Sequence, residues 1–150
     1  MNKKLDEAVS LLKEKQVSCV IWIEGKEPIL SKEIGIKPLM QELRKERQAF
    51  AQGVIADKVV GKAAALMAIL GGAKAVYGQV FSESAENILQ NYGIEYAYEQ
   101  KVPYIENRTK TGQCPLEQAV NDIDDPDTAF EVLEETIAGL MRKNFQRPEK

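Results

Sequence analysis

The sequence contains no histidine, and this absence removes several common catalytic sites from consideration. Serine and cysteine hydrolases usually rely on a histidine base, and a catalytic zinc ion is usually held by histidine ligands. Cysteine is scarce as well, with Cys19 in an apolar stretch and Cys114 in a polar loop. Two cysteines in such unrelated contexts do not indicate a disulfide framework, so we expect a reducing environment and a cytoplasmic protein.

Long apolar runs and an excess of positive charge are also missing. No run approaches the roughly 20 residues that a membrane span requires, and segment 1–7 is charged, unlike the apolar core of a signal peptide. The formal net charge is -3, so the chain has no general attraction for phosphate backbones or anionic lipid. We therefore expect neither a nucleic-acid partner nor a membrane partner.

The apolar residues that are present follow an alternating pattern of strands and helices. Of the 150 residues, 44% are hydrophobic and 29% are charged, which is typical of one globular domain spanning 1–150. Strands are predicted over 17–23, 74–81 and 94–98, with a shorter edge strand near Pro28 and a mixed strand and loop over 53–60. Helices are predicted over 5–15, near Pro38, over 63–70, from Ser82, from Pro115 and from Pro126.

This order predicts the fold class. Two strands joined by a crossover helix run parallel, which favours a parallel strand–helix–strand unit around the apolar helix 63–70. The other helices would then cover both faces of one central sheet. We therefore predict an α/β protein with a three-layer α/β/α sandwich and a mixed central sheet. The last helix is predicted to bury an apolar face from Phe130 to Met141.

Two long segments resemble the domain-of-unknown-function 1893 family. They are Ala56-Asp57-Lys58-Val59-Val60-Gly61-Lys62-Ala63-Ala64-Ala65 and Asn107-Arg108-Thr109-Lys110-Thr111-Gly112-Gln113-Cys114-Pro115-Leu116-Glu117. Segments 18–21 and 35–39 are similar to that family as well, so the resemblance covers about residues 5–117. That family is similar in fold to the cytidine deaminases, which implies a cytidine-deaminase-like sandwich in which the helix near Leu39 is an insertion.

The resemblance does not extend to deaminase chemistry. Deaminases place a zinc ligand and a catalytic glutamate at the start of one helix, and two cysteines at the start of the next. Here those positions hold Val60-Gly61-Lys62-Ala63 and Ser82-Glu83-Ser84-Ala85. Because these segments lack histidine and cysteine, we predict that the protein uses no metal, no other cofactor and no zinc-dependent deamination.

Polar residues near the predicted helix starts are the candidate site. Gly61-Lys62 does not fit a phosphate loop, since Ala63 stands where a hydroxyl is required. Backbone N–H groups at Gly61 could still bind an anion, assisted by Lys58 or Lys62, or the glycine could simply allow close helix packing. Asp57 beside Lys58 suggests either an acid–base pair or an exposed ion pair.

Cys114 is the candidate nucleophile, since it directly precedes a predicted helix start and lies near Arg108 and Lys110. The alternative is a half-buried packing cysteine. Asn107 and Arg108 are candidates for binding a carboxylate or a phosphate.

At the second helix start, Ser82 and Glu83 are candidate ligand-binding residues or, alternatively, only helix-capping residues. Glu117 is predicted to cap its own helix reciprocally with Cys114.

Two classes of function follow. In the first, a zinc-free deaminase-like domain binds a small anionic metabolite, such as a nucleoside or nucleotide, and acts on it through Cys114 with Asp57 or Lys62 as proton carrier. In the second, the chain is a non-catalytic binding or regulatory module, or a structural domain that forms a homo-oligomer through a sheet edge or its last helix.

Overall fold

The computed structural model describes residues 3–33, 35–107 and 109–146. Within those ranges the chain forms a mixed five-stranded sheet with helices, which confirms the α/β class. In chain order the elements are α1 (Lys3–Glu14), β1 (Cys19–Trp22), β2 (Ile29–Ser31), α2 (Lys37–Lys45), β3 (Val54–Val60), α3 (Lys62–Leu70), β4 (Ala75–Ser82), α4 (Glu83–Asn91), β5 (Glu95–Val102), α5 (Pro115–Ala119) and α6 (Pro126–Gln146).

The strands follow the order β2-β1-β3-β4-β5 across the sheet. Strand β1 is antiparallel to both of its neighbours, whereas β3, β4 and β5 are parallel to one another. The predicted parallel unit around α3 is therefore confirmed, as is the edge position of the strand that follows Pro28. The prediction of a mixed strand and loop over 53–60 was wrong, because Val54–Val60 is a complete strand at the centre of the sheet.

Apolar side chains fill both faces of the sheet. On one face, Leu5, Ala8 and Leu12 of α1 pack against the first halves of the central strands. On the other face, α3 lies against the sheet, and α4 and α6 pack against α3. Helix α3 is apolar all the way round because it is buried, and no residue from Lys62 to Ala68 is more than 8% exposed.

The apolar face of α6 ends earlier than its sequence pattern predicts. Phe130 and Leu133 are buried and Ile137 is partly buried, but Leu140 is 37% exposed and Met141 is 59% exposed. The prediction of a buried face reaching Met141 was therefore wrong at its carboxyl end. Helical spacing shows which side chains share a face, but it does not show where the covering elements stop. Among the described helices, none is both long and apolar enough to cross a membrane.

A matched irregularity crosses the three parallel strands. Strand pairing joins Asp57 to Gly78 and Val59 to Val80, but it skips Lys58 and Gln79. In the same way it joins Gly78 to Tyr98 and then skips Glu99. A Cβ on Gly78 would lie 2.6 Å from Phe81 and 2.8 Å from Val60, so positions three residues apart share the buried face. The intervening residues are therefore directed away from that core. We call this interruption of the side-chain alternation, across which the register of the strands does not change, the shared bulge.

Candidate functional site

The amino terminus of α3 is occupied by a carboxylate of the chain itself. Glu117 of α5 accepts hydrogen bonds from the backbone N–H groups of Lys62 at 2.8 Å and Ala63 at 2.9 Å. These two donors have no partner inside the helix, so the carboxylate satisfies groups that would otherwise be buried and unpaired. Burial raises the pKa of Glu117, while the two N–H bonds and the nearby Lys62 oppose that rise.

This contact corrects the predicted role of Glu117. Cys114 precedes α5, as predicted, but its side chain makes no cap hydrogen bond. The glutamate reaches across to α3 instead, where the positive end of the buried helix lies. Gly61 makes that approach possible, because a Cβ at this position would lie 2.4 Å from the Glu117 carboxyl carbon. The N–H groups predicted to receive an external anion thus already hold an internal one.

Lys62 is also held by structural contacts. Its Nζ donates to the backbone oxygen of Asn121 at 3.1 Å and lies 2.7 Å from Oδ1 of Asp124. The lysine side chain is 10% exposed, whereas Asp124 is 75% exposed. The ammonium group therefore links α3 to the loop that precedes α6.

Ser82 caps α4, the role that the sequence offered as its alternative. The backbone N–H of Ala85 donates to Ser82 Oγ at 3.0 Å, and this hydroxyl lies 3.1 Å from Ser84 Oγ. Ser82 is fully buried, whereas Glu83 is exposed in the first turn of the helix. A side-chain oxygen at this position satisfies one of the free amides of the helix terminus.

Asp57 and Lys58 face opposite sides of the sheet. Asp57 is 5% exposed and pairs with Cys19 of β1 in the sheet. Burial raises the pKa of Asp57 to about 7, and burial followed by the charge of Asp57 raises the pKa of the Cys19 thiol. The Lys58 N–H donates to the Ser18 oxygen at 3.0 Å, so pairing with the segment before β1 holds the backbone of β3 at its irregularity.

Cys114 ends the loop that connects β5 to α5. Its backbone N–H donates to the Ile105 oxygen at 2.9 Å, and its side chain is partly exposed. Asn107 fixes the tip of this loop, since its Oδ1 accepts from the Thr111 N–H at 3.0 Å. Arg108 lies outside the described residues. Among those that are described, neither Asp57 nor Lys62 makes a hydrogen bond or ion pair with Cys114.

A cavity of about 580 Å³ opens at the carboxyl ends of β3, β4 and β5. Its floor has one valine from each strand, and its wall and rim come from the loop after β5. These residues form the valine cleft: Val59, Val80, Val102, Pro103, Tyr104, Ile105, Glu106, Asn107 and Lys110. Val59 is 42% exposed and Tyr104 is 46% exposed, so the cleft presents apolar surface to solvent.

A second hollow, of about 500 Å³, is lined by residues of β3 and β4 and by residues of α1 and the turn after it. Leu12, Lys13, Gln16, Lys58 and Gln79 form this lysine hollow. Lys58 and Gln79 directly precede the floor residues of the cleft, one residue earlier on β3 and β4. Lys13 is 2.8 Å from Glu99, and its hydrogen bond holds the pKa of that carboxylate below its usual value. Among the described residues, Lys58 makes no ion pair.

The described residues contain no group of three or more His, Cys, Asp or Glu side chains placed to hold a metal ion.

Comparison with known proteins agrees with this architecture. A family model described as "Domain of unknown function (DUF1893)" matches residues 7–137. The chain belongs to the DUF1893 family. It is similar to the crystal structure of a DUF1893 family protein from Thermotoga maritima, with 25% sequence identity and a TM-score of 0.79, over 90% of this chain and 91% of that one. No curated protein matches the sequence.

The sequence indicates part of these surfaces. Lys58 and Asn107 were candidates and line the hollow and the cleft, whereas the valine floor and Gln79 were missed. A signal for the missed residues is present in the sequence. Lys58 and Gln79 each interrupt an apolar strand at matched positions, and each is followed by a valine.

Proposed function

We propose that the protein binds a small anionic metabolite in the valine cleft without zinc, with nucleosides and nucleotides as the first class to test. The cavity itself carries the proposal. An apolar floor crosses three parallel strands, and Asn107 and Lys110 supply polar groups at the rim. Small-molecule sites typically combine a mostly apolar cavity of roughly 300–1,000 Å³ with a few polar groups, and the cleft falls within that range.

The position of the cleft supports the same function. Open α/β sheets commonly bind ligands beyond the carboxyl ends of their parallel strands, where connecting loops meet. The valine cleft lies at those ends of β3, β4 and β5, and the loop after β5 supplies its wall. Asn107 also fixes the conformation of this loop, so the wall is formed before a ligand arrives.

The scaffold belongs to the proposal as well. Helices pack on both faces of the sheet, which supports a three-layer sandwich. The order of helices and strands along the chain, once α2 is set aside, supports the cytidine-deaminase type of that sandwich. Where that type holds its zinc, this chain has Gly61, Lys62 and Ser82. Their groups are engaged by Glu117, by Asp124 and by the α4 backbone. These contacts favour a binding role over deamination.

The catalytic roles of Cys114, Asp57 and Lys62 stay predictions. Asp57 is buried beside Cys19, and Lys62 is bonded to Asn121 and Asp124. A reaction that uses either group for proton transfer would have to break these contacts first. Binding in the valine cleft requires no such rearrangement.

Thermal unfolding with a panel of nucleosides and nucleotides tests the proposal. A ligand present at about one hundred times its Kd raises the free energy of unfolding by about 2.7 kcal/mol, which corresponds to a Tm increase of about 5–10 °C. We expect Val59→Gln to remove this increase, because it places an amide on the apolar floor.

Leu30→Gln is the matched control. Leu30 is also 42% exposed on a strand, but it lies on β2 at the far edge of the sheet. The cleft is not the binding site if no compound in the panel raises the Tm. The same conclusion follows if a ligand raises the Tm of Val59→Gln as much as that of Leu30→Gln.

A further inference from the structure

We infer that the lysine hollow binds the phosphate group of the ligand whose apolar or planar body fills the valine cleft, so that the two cavities form one site for a small organic phosphate. This inference rests on the function proposed for the cleft and specifies its ligand class. It is carried by the bulge shared by β3 and β4, which directs consecutive residues of each strand to adjoining cavities.

The bulge determines how close the two cavities are. In a regular strand, consecutive side chains point to opposite faces of the sheet. Here Lys58 and Val59 are both directed away from the buried core, and so are Gln79 and Val80. The floors of hollow and cleft are thus one residue apart, about 3.3 Å along the strand. A single small molecule can therefore reach both.

The chemistry of the hollow suits a phosphate. Lys58 supplies an ammonium group with no ion-pair partner among the described residues, and Gln16 and Gln79 supply amide donors. Lys13 contributes less because it is already paired with Glu99, which is the acidic group beside the hollow. Among the described residues that line the valine cleft, only Lys110 at the rim carries a positive charge. The anionic group is therefore assigned to Lys58, and the uncharged body to the valines.

The neighbouring segment of the sheet fixes the backbone of Lys58, whose N–H donates to the Ser18 oxygen at 3.0 Å. Asp57, directly before it, is buried and pairs with Cys19 of β1. The backbone position of Lys58 is thus set by the sheet and does not depend on the ligand.

Calorimetric titration of matched compounds with and without a phosphate tests the inference. Adenosine is compared with adenosine 5′-monophosphate, and phenol with phenyl phosphate. We expect the phosphate to improve affinity in the wild type, and Lys58→Gln to weaken phosphate-ester binding roughly threefold to tenfold. Binding of the two phosphate-free compounds should not change. Lys58 is exposed, so this variant is expected to fold.

Lys74→Gln is the control, since it removes the same charge from an exposed lysine that precedes β4 at the opposite end of the sheet. If the phosphate-free compounds bind but the phosphate adds no affinity, the inference is overturned and the cleft proposal survives. The inference is also overturned if both lysine variants lose affinity equally, since that indicates general charge attraction. If no compound binds, the cleft proposal fails together with the inference.

Discussion

Replacing Glu117 by alanine should destabilise the protein far more than an ordinary glutamate substitution. The change removes two charge-assisted hydrogen bonds, of 2.8 and 2.9 Å, and leaves the N–H groups of Lys62 and Ala63 buried without an acceptor. Each such bond is worth about 1.5–3 kcal/mol. The burial that raises the Glu117 pKa offsets part of this gain. We therefore expect Glu117→Ala to lower the free energy of unfolding by about 2–4 kcal/mol.

A double-mutant cycle with Gly61 tests whether the stability comes from this contact. Gly61 has an extended backbone, with φ of -104° and ψ of -173°, which alanine also adopts. The cost of Gly61→Ala should therefore come from the added methyl group, which would lie 2.4 Å from the Glu117 carboxyl group. With Glu117→Ala already present, that space is empty. We expect the two changes together to cost at least about 1 kcal/mol less than the sum of the single changes.

Urea unfolding at neutral pH measures all four proteins of the cycle. Glu131→Ala is the control, because Glu131 is exposed on α6 and its replacement should change stability by less than about 0.5 kcal/mol. The reasoning is refuted if Glu117→Ala costs no more than this control. It is also refuted if Gly61→Ala costs the same with and without Glu117, because the two residues would then act independently.

Three further predictions concern Asp57, Ser82 and α6. The pKa of Asp57 is raised to about 7, so the folded protein retains a proton that the unfolded chain releases near pH 4. The free energy of unfolding of the wild type should therefore fall as the pH rises between these values, by at most about 1.4 kcal/mol per pH unit. Asp57→Asn should flatten that profile in urea unfolding at pH 5 and 7.5, and an unchanged slope would contradict the assignment. Ser82→Ala should cost about 1 kcal/mol in the same assay and Ser84→Ala clearly less, since only Ser82 accepts the Ala85 N–H. Met141→Gln should stay within about 0.5 kcal/mol of the wild type by thermal or urea unfolding, a result that a buried Met141 would not give.

The sequence by itself determined those features that depend on near neighbours along the chain. Ser82 and Asp125 cap the helices that follow them, as their residue types predict, with the Thr128 N–H donating to Asp125 at 2.8 Å. The apolar run after Lys62 is a buried helix, and it joins two parallel strands. Family membership could also be predicted from the residues, because two long motifs occur in the right order.

The candidate site was predicted only in part, because its geometry depends on residues far apart in the chain. Nothing near Glu117 in the sequence shows that its carboxylate reaches Lys62, which is 55 residues away. Likewise, Asp57 and Lys58 are adjacent in sequence yet serve opposite faces of the sheet.

Only the tertiary structure decided which backbone groups need a partner and which strand positions leave the regular alternation. The physical reason is that a buried helix terminus and a skipped strand pair arise from packing between elements. Local preference specifies each element separately, whereas the cleft, the hollow and the internal carboxylate cap exist only once those elements have come together.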